Sequence, residues 1–336
     1  MQDSRSGTAV WPSGAAFLLL RTGDGWRHVT NITPVAVPTS GGLTMAASSR
    51  ELVVAALPFD RLVDSPLLRG TTSGTGWSPG QLPGGLSSAR ESVGLGPHGV
   101  TAVVRDGGGT VVEKTPGGWR VLTDSSRLAP GEHLQLDSIS WGAGGRGWVT
   151  AHRPAGGPVA FTTGDSGRTW ASVAGLVADA VAALPPCQGG QTWMLPVLSA
   201  RGTMSVSSRS TRSTRSTSLG AGEAWATGAL LTVPRGLPAW GCHGHDVWIL
   251  GGATDGDHVY SSANAGATWT DRGIAPAGVS DLAPTGNHLG FATATTATGS
   301  GSGSVLFAVR GDGASFSPIA LPGWVSAIGT QPMSMN

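Results

Sequence analysis

Charge, lysine, tyrosine, cysteine and long apolar runs are all scarce in this chain. Only 12% of its 336 residues are charged, and the formal net charge is +1. Bulk electrostatics therefore favour neither nucleic acid nor an anionic membrane as a partner. Lysine occurs only at Lys114 and arginine carries almost all the positive charge, a bias that fits a GC-rich bacterial genome and does not bear on function. The longest apolar runs, such as residues 15–20, are strand-length. A membrane-crossing helix needs about 20 such residues, so no transmembrane segment is expected. No window sustains apolar residues at i, i+3, i+4 and i+7, which excludes a helical architecture. The first residues, Met1 to Ser6, lack the apolar core of a signal peptide, so they read either as a start Met ahead of a mature domain or as a native cytosolic start.

What the chain has in abundance is punctuation. It holds 54 Gly and 22 Pro, spaced every few residues, and the segments between them are strand-length, so the chain reads as all-β. A chain this long is large for one ordinary compact domain, and repetition removes the difficulty. One stretch recurs: Thr163-Gly164-Asp165-Ser166-Gly167-Arg168-Thr169-Trp170 and Ser262-Ala263-Asn264-Ala265-Gly266-Ala267-Thr268-Trp269. Each reads as a hairpin corner in which Asp165 or Asn264 accepts backbone N–H bonds. Gly167 or Gly266 supplies the positive φ, and Trp170 or Trp269 opens the return strand. The pattern resembles the Asp-box, or BNR, repeat of sialidases, sortilin-type receptors and photosystem-assembly propellers. The resemblance implies a β-propeller and carries no function by itself.

Degenerate corners ending in an aromatic occur at Trp26, Trp77, Trp119, Trp225 and Phe316, and with Trp170 and Trp269 they make seven marks at intervals of 42 to 55 residues. A second strand signal precedes each of the last six: 52–57, 100–104, 147–151, 192–198, 247–250 and 289–295. Taking the strands of a blade as A to D outward, these are B strands, and Trp148, Trp193 and Trp248 share one B-strand position. The rings read as core between blades in preference to ligand-stacking platforms. The first corner arrives too early to leave room for an A strand, whereas Trp324 to Ile328 resembles the A strand at 278–282. The expected fold is thus a single all-β domain, residues 1–336, a seven-bladed β-propeller whose C-terminal strand closes the first blade and leaves no free edge. The Ser/Thr/Arg-rich stretch at about 207–218 is too polar to pack and is expected as a solvated hairpin insertion.

The B–C loops hold Asp60, Arg61, Asp64, Arg105, Asp106, His152, Arg153, Arg201, Asp255, Asp257 and His258. Arg61, Arg105, Arg153, Arg201 and Asp257 are the candidate ligand-binding residues, since guanidinium forks suit carboxylates and phosphates. The opposing reading is that loop ends are arginine-rich because lysine is nearly absent. A sialidase would need an arginine triad, a tyrosine nucleophile with a glutamate partner and an acid/base aspartate. The only tyrosine, Tyr260, sits in a strand just before a corner, and the N-terminal blade shows Leu20-Arg21-Thr22 in place of the expected arginine motif. No catalytic residue is assigned on this basis. Cys242-His243-Gly244-His245-Asp246 is the densest set of metal-ligand residue types, but it lacks a second cluster at zinc-like spacing, so neither metal nor cofactor is expected. Gly299-Ser300-Gly301-Ser302-Gly303 reads as a linker, not a nucleophile elbow.

Cys187 and Cys242 each precede a B-strand Trp by six residues, which puts both at the end of strand A in adjacent blades. A disulfide is expected there in an exported protein. Two buried free thiols acting as small hydrophobes are the alternative. Together these features point to an extracellular, periplasmic or cell-surface monomer that binds a protein or a glycan, with an anionic ligand as one option. A carbohydrate-active enzyme with its site in the central funnel is the competing class.

Overall fold

A computed structural model of the protein describes residues 6–13, 16–33, 37–38, 42–48, 50–57, 66–83, 92–104, 109–154, 156–173, 180–183, 187–189, 192–199, 203–210, 226–232, 239–253, 255–298 and 301–322. These residues are mostly strand with almost no helix, and the strands form antiparallel sheets in chain order. Sheet one holds Gly7–Ser13, Ala16–Thr22 and Thr30–Asn31, with Val37–Pro38 pairing back on the second of them. Six sheets follow from Gly42 onward. Sheet two is Gly42–Ala47, Glu51–Leu57, Pro66–Thr71 and Ser78–Gln81; sheet three is Ser92–Gly96, Gly99–Val104, Thr110–Thr115 and Gly118–Asp124. Sheet four is Gln135–Trp141, Gly147–His152, Pro158–Thr163 and Ala171–Ser172. Sheet five is built on Ala180–Ala183, Thr192–Ser199, Thr203–Ser210 and Ala226–Thr227, with Cys187–Gly189 and Leu231–Thr232 alongside. Sheet six is Trp240–His243, Asp246–Ala253, Gly256–Ser262 and Thr270–Ile274, and sheet seven is Val279–Gly286, Leu289–Thr298, Gly301–Arg310 and Ser315–Pro318. The fold is an all-β propeller. Residues 324–328, expected to complete sheet one, lie outside the described residues, as do Trp225 and most of the Ser/Thr/Arg-rich stretch. The start of that stretch, through Ser210, belongs to a strand: Ser207 and Ser208 pair with Thr227 and Ala226.

The chain divides into two compact units. One comprises residues 41–187 and 193–227. Its core lies between successive sheets: Val53, Ala55 and Leu67 of sheet two meet Val93, Val100 and Ala102 of sheet three, and Val103 and Val111 of sheet three meet Ile139, Val149 and Phe161 of sheet four. Trp148 and Ala160 of sheet four meet Leu195 and Val197 of sheet five. The second unit comprises residues 1–40, 188–192 and 228–336. There Trp248, Leu250 and Val259 of sheet six meet Leu282, Ala292 and Val309 of sheet seven, while Trp11, Leu20 and Trp26 of sheet one meet Leu306. Second strands are covered on both faces, which is why 52–55, 100–104, 148–151 and 247–250 are apolar almost without interruption. Outer strands such as Ser78–Gln81 are exposed throughout.

The corners explain how each sheet turns its edge. Thr163 Oγ1 donates to Asp165 Oδ1 at 2.8 Å and accepts the Gly167 N–H at 2.9 Å, and Asp165 Oδ1 accepts the Thr169 N–H at 2.9 Å. Partial burial opposes ionisation of Asp165, but the hydroxyl and amide of Thr169 and the hydroxyl of Thr163 outweigh it and hold the carboxyl below its ordinary range. The second copy repeats the geometry: Ser262 Oγ accepts from Gly266 N at 2.8 Å, and Asn264 Oδ1 accepts from Thr268 N at 2.9 Å. In both, two consecutive residues take positive φ, Ser166 and Gly167 at 63° and 84°, Ala265 and Gly266 at 56° and 85°.

Sheet one carries a third copy in a register the sequence disguises. Thr22 Oγ1 accepts the Trp26 N–H at 2.9 Å and Asp24 Oδ1 accepts the His28 N–H at 2.9 Å. The His28 backbone N–H, followed by the His28 ring, brings the Asp24 carboxyl down to about 2. Trp26, with φ 70°, therefore occupies the place of Gly167, not that of Trp170 as its position at the end of the corner suggests. Its ring is buried, edge-on to Phe291 with centroids 6.3 Å apart.

Trp170 and Trp269 are half-buried. Trp170 Nε1 donates to the Gly167 carbonyl at 3.1 Å, and Trp269 Nε1 to the Ala229 carbonyl at 3.0 Å. The deepest ring is Trp248, 1% exposed and so close to Gly290 that a Cβ there would stand 2.6 Å from it. Both cysteines are disulfide-bonded, leaving no free thiol among the described residues. The burial ranks the tryptophans. Trp248→Ala should cost about 3–5 kcal/mol, as for other fully buried aromatics. Trp170→Ala should cost roughly half that, because its ring keeps contact with water. Urea unfolding of the two variants checks the order, and a larger loss for Trp170→Ala would contradict it.

Candidate functional site

Within each sheet the loop joining the second and third strands lies at the end opposite the corner. In sheet four this end carries His152 and Arg153. A register shift between Leu136 and Ser138 sets Asp137 out of the ladder, and its two carboxylate oxygens lie 2.9 and 3.0 Å from His152 Nδ1. Arg153 donates to Glu132 from Nε at 2.7 Å and from a terminal nitrogen at 3.5 Å, an exposed pair whose worth is about 0–1 kcal/mol. Arg153 thus already has an anionic partner. Arg61, Arg105 and Arg201, the other candidate ligand-binding arginines, lie outside the described residues.

In sheet six the same end is built around His258. Its Nδ1 meets both Asp271 oxygens at 2.9 and 3.0 Å and its Nε2 meets Asp255 Oδ1 at 3.1 Å, with the imidazole only 14% exposed. Asp271 also accepts the Gly273 N–H at 2.8 Å. The Tyr260 ring stacks on the imidazole, centroids 6.2 Å apart and planes 26° from parallel. Hydrogen bonding to Asp271, reinforced by the charges of Asp271 and Asp255, raises the His258 pKa against the pull of burial. Burial opposes ionisation of Asp271, but Gly273 and His258 outweigh it and lower its pKa. Burial first, then the two carboxylates, raises the Tyr260 phenol.

When protonated, the imidazole can donate through both nitrogens to these carboxylates and then offers no lone pair to a metal. Asp255 and Asp271 are 61% and 48% exposed, and with exposed Asp257 and Ile274, 58% exposed, they form a rigid acidic surface bearing one apolar residue. Spacing points to His258 and Asp257 but not to Asp271, Asp137 or Glu132, because these partners arrive from other strands or the segment before one, at separations of 13 to 21 residues. The Cys242 to Asp246 cluster disperses: Cys242 is disulfide-bonded and His245 Nε2 meets Thr192 Oγ1 at 3.0 Å. Asp281, on the first strand of sheet seven, is exposed to solvent, yet the protein atoms crowded around it push its carboxyl up, partly offset by the Leu282 N–H at 3.1 Å.

No family model matches this chain, and no curated protein matches it. Solved structures do. The chain is similar to "YCF48 bound to D1 peptide", at 18% identity, covering 87% of this chain and 86% of that one, with a TM-score of 0.52. It is similar to the GH74 xyloglucanase from Xanthomonas campestris at 13% identity and TM-score 0.53, covering 96% of this chain but only 61% of the xyloglucanase. A putative 6-phosphogluconolactonase from Bacteroides uniformis matches at 10% identity and TM-score 0.59, covering 94% and 95%. At these identities the likeness establishes the propeller fold alone.

His258 gives the site a pH signature. Its folded pKa lies above the unfolded value of about 6.5, so the stability it contributes is complete below that pH and is lost as pH rises through the folded pKa. The melting temperature of the protein should exceed that of His258→Gln at about pH 5.5, and the gap should close by about pH 9. A gap that widens with pH would show that the clamp is not cationic.

Proposed function

We propose that this chain forms one exported, monomeric, seven-bladed propeller domain of the Asp-box type, its first sheet completed by residues 324–328, and that it binds a protein or glycan partner without transforming it. Support for the closure comes from sheet one, which shows no strand inside Gly7–Ser13 among the described residues, and from Ile319 and Leu321, which pack on its Trp11, Leu20 and Trp26 as the chain leaves sheet seven. The three hydroxyl-carboxamide or hydroxyl-carboxylate corners support the repeat type. The disulfide supports export, since such bonds persist in oxidising compartments. Propellers of this fold include a peptide-bound protein and a glycan-active enzyme, so either kind of partner is compatible with it.

The observation that carries the binding reading is the His258 clamp. Side chains locked in advance lose little entropy when a partner docks, and fixed Asp255 and Asp271, with exposed Asp257 beside them, select by complementarity. The competing reading of a carbohydrate-active enzyme would use Asp281, an exposed carboxyl whose pKa is raised in the direction a general acid requires. A glycan array and a pull-down from the host envelope separate the two. The binding reading expects a retained partner that leaves unchanged and is lost with Asp257→Lys. Release of sugar products by the protein, abolished in Asp281→Asn, would overturn it.

A further inference from the structure

The corner copies differ at their sixth position, where sheet one has Arg27, sheet four has Arg168 and sheet six has Ala267. Where arginine stands there, a groove opens beside it. In the second unit a groove of about 490 Å³ is lined by Asp24, Arg27, Leu289, Phe291 and Arg310. In the first unit a groove of about 410 Å³ is lined by His98, Arg120, Val121, Gly167 and Arg168. Each therefore pairs the corner arginine with a second arginine from the third or fourth strand of another sheet. Arg27, Arg168 and Arg310 are exposed and meet no acceptor among the described residues. Arg120 is held in place by Glu113, which is 1% exposed and whose other oxygen, Oε1, has no partner among the described residues. Asp24 does not neutralise Arg27, because its oxygens are taken by Thr22 and by the amide and ring of His28.

We infer that the two corner grooves bind the sulfate or carboxylate groups of an acidic polysaccharide. The chemistry is that of guanidinium forks receiving planar or tetrahedral oxyanions, with apolar Leu289 and Phe291, or Val121, available beneath the C–H face of a sugar ring. A saccharide is favoured over a small free anion because each groove sets an apolar side chain beside its two arginines. These grooves lie at the corner ends of the sheets and are separate from the His258 clamp.

The test immobilises dextran sulfate, polygalacturonate, neutral dextran and polyglutamate and measures binding of the full chain by interferometry. Retention on the sulfated or the uronate polymer is expected, the stronger of the two naming the anion, with loss as salt rises toward about 0.5 M. Arg27→Gln and Arg168→Gln should each weaken binding about tenfold, and Arg→Lys at either position should recover part of it. Their melting temperatures should match the parent, since neither side chain holds a described contact. Equal binding to neutral dextran, stronger binding to polyglutamate, or affinity indifferent to both glutamine variants would each overturn the inference. Envelope partners captured through Asp257 should be retained by these variants, so the failure of one idea is distinguishable from that of the other.

Discussion

The structure depends on one small constraint, a hydroxyl that closes a hairpin from the inside. Thr163, Ser262 and Thr22 each accept an N–H four residues on, and the residue two positions on accepts a second. These bonds satisfy amides that the strands cannot reach, which matters because an unpaired buried N–H costs about 1–3 kcal/mol. They also hold two successive residues at positive φ, a conformation that is unfavourable for anything but glycine unless its surroundings impose it. With the turn fixed, the fourth strand must return along the third, and the tryptophan after the turn reaches a carbonyl of its own corner or of a preceding segment.

The corner at sheet seven shows what happens when the hydroxyl is missing. Arg310 stands where a Thr or Ser would, and Asp312, with φ 59°, turns to Arg272 and His288 at 3.1 and 2.8 Å. Arg272 in turn donates to Ser261 Oγ at 2.7 Å, so the corner is tied to sheet six by charge in place of its own hydroxyl.

Much of this was legible in residue order. The buried second strands stand out because both of their faces must be apolar, and the Thr163 and Ser262 corners stand out because the geometry tolerates few residue types. Three things were hidden. Outer strands as short as Ala171–Ser172 carry no pattern, since neither propensity nor burial constrains them. The first corner hides its register, because Trp26 fills a position that favours glycine, three residues before the place of Trp170, and so imitates the tryptophan that ends other corners. Asp137 and Asp271, which hold His152 and His258, come from other strands, and Glu132, which holds Arg153, from the segment before a strand, pairings that cannot be read from spacing within a loop. Among the described residues, Arg153 and His258 are committed to carboxylates, while exposed arginines with no described acceptor sit at the corners.

If the hydroxyl-centred corner is the element on which the sheets rest, its amides should be among the slowly exchanging ones although the turns lie at the surface. Native-state hydrogen exchange at Gly167, Thr169, Gly266 and Thr268 measures this directly. The account predicts protection comparable to that of the flanking strands, and its loss at Gly167 and Thr169 in Thr163→Val. Exchange at the rate of an ordinary exposed loop in the unmodified protein would contradict it.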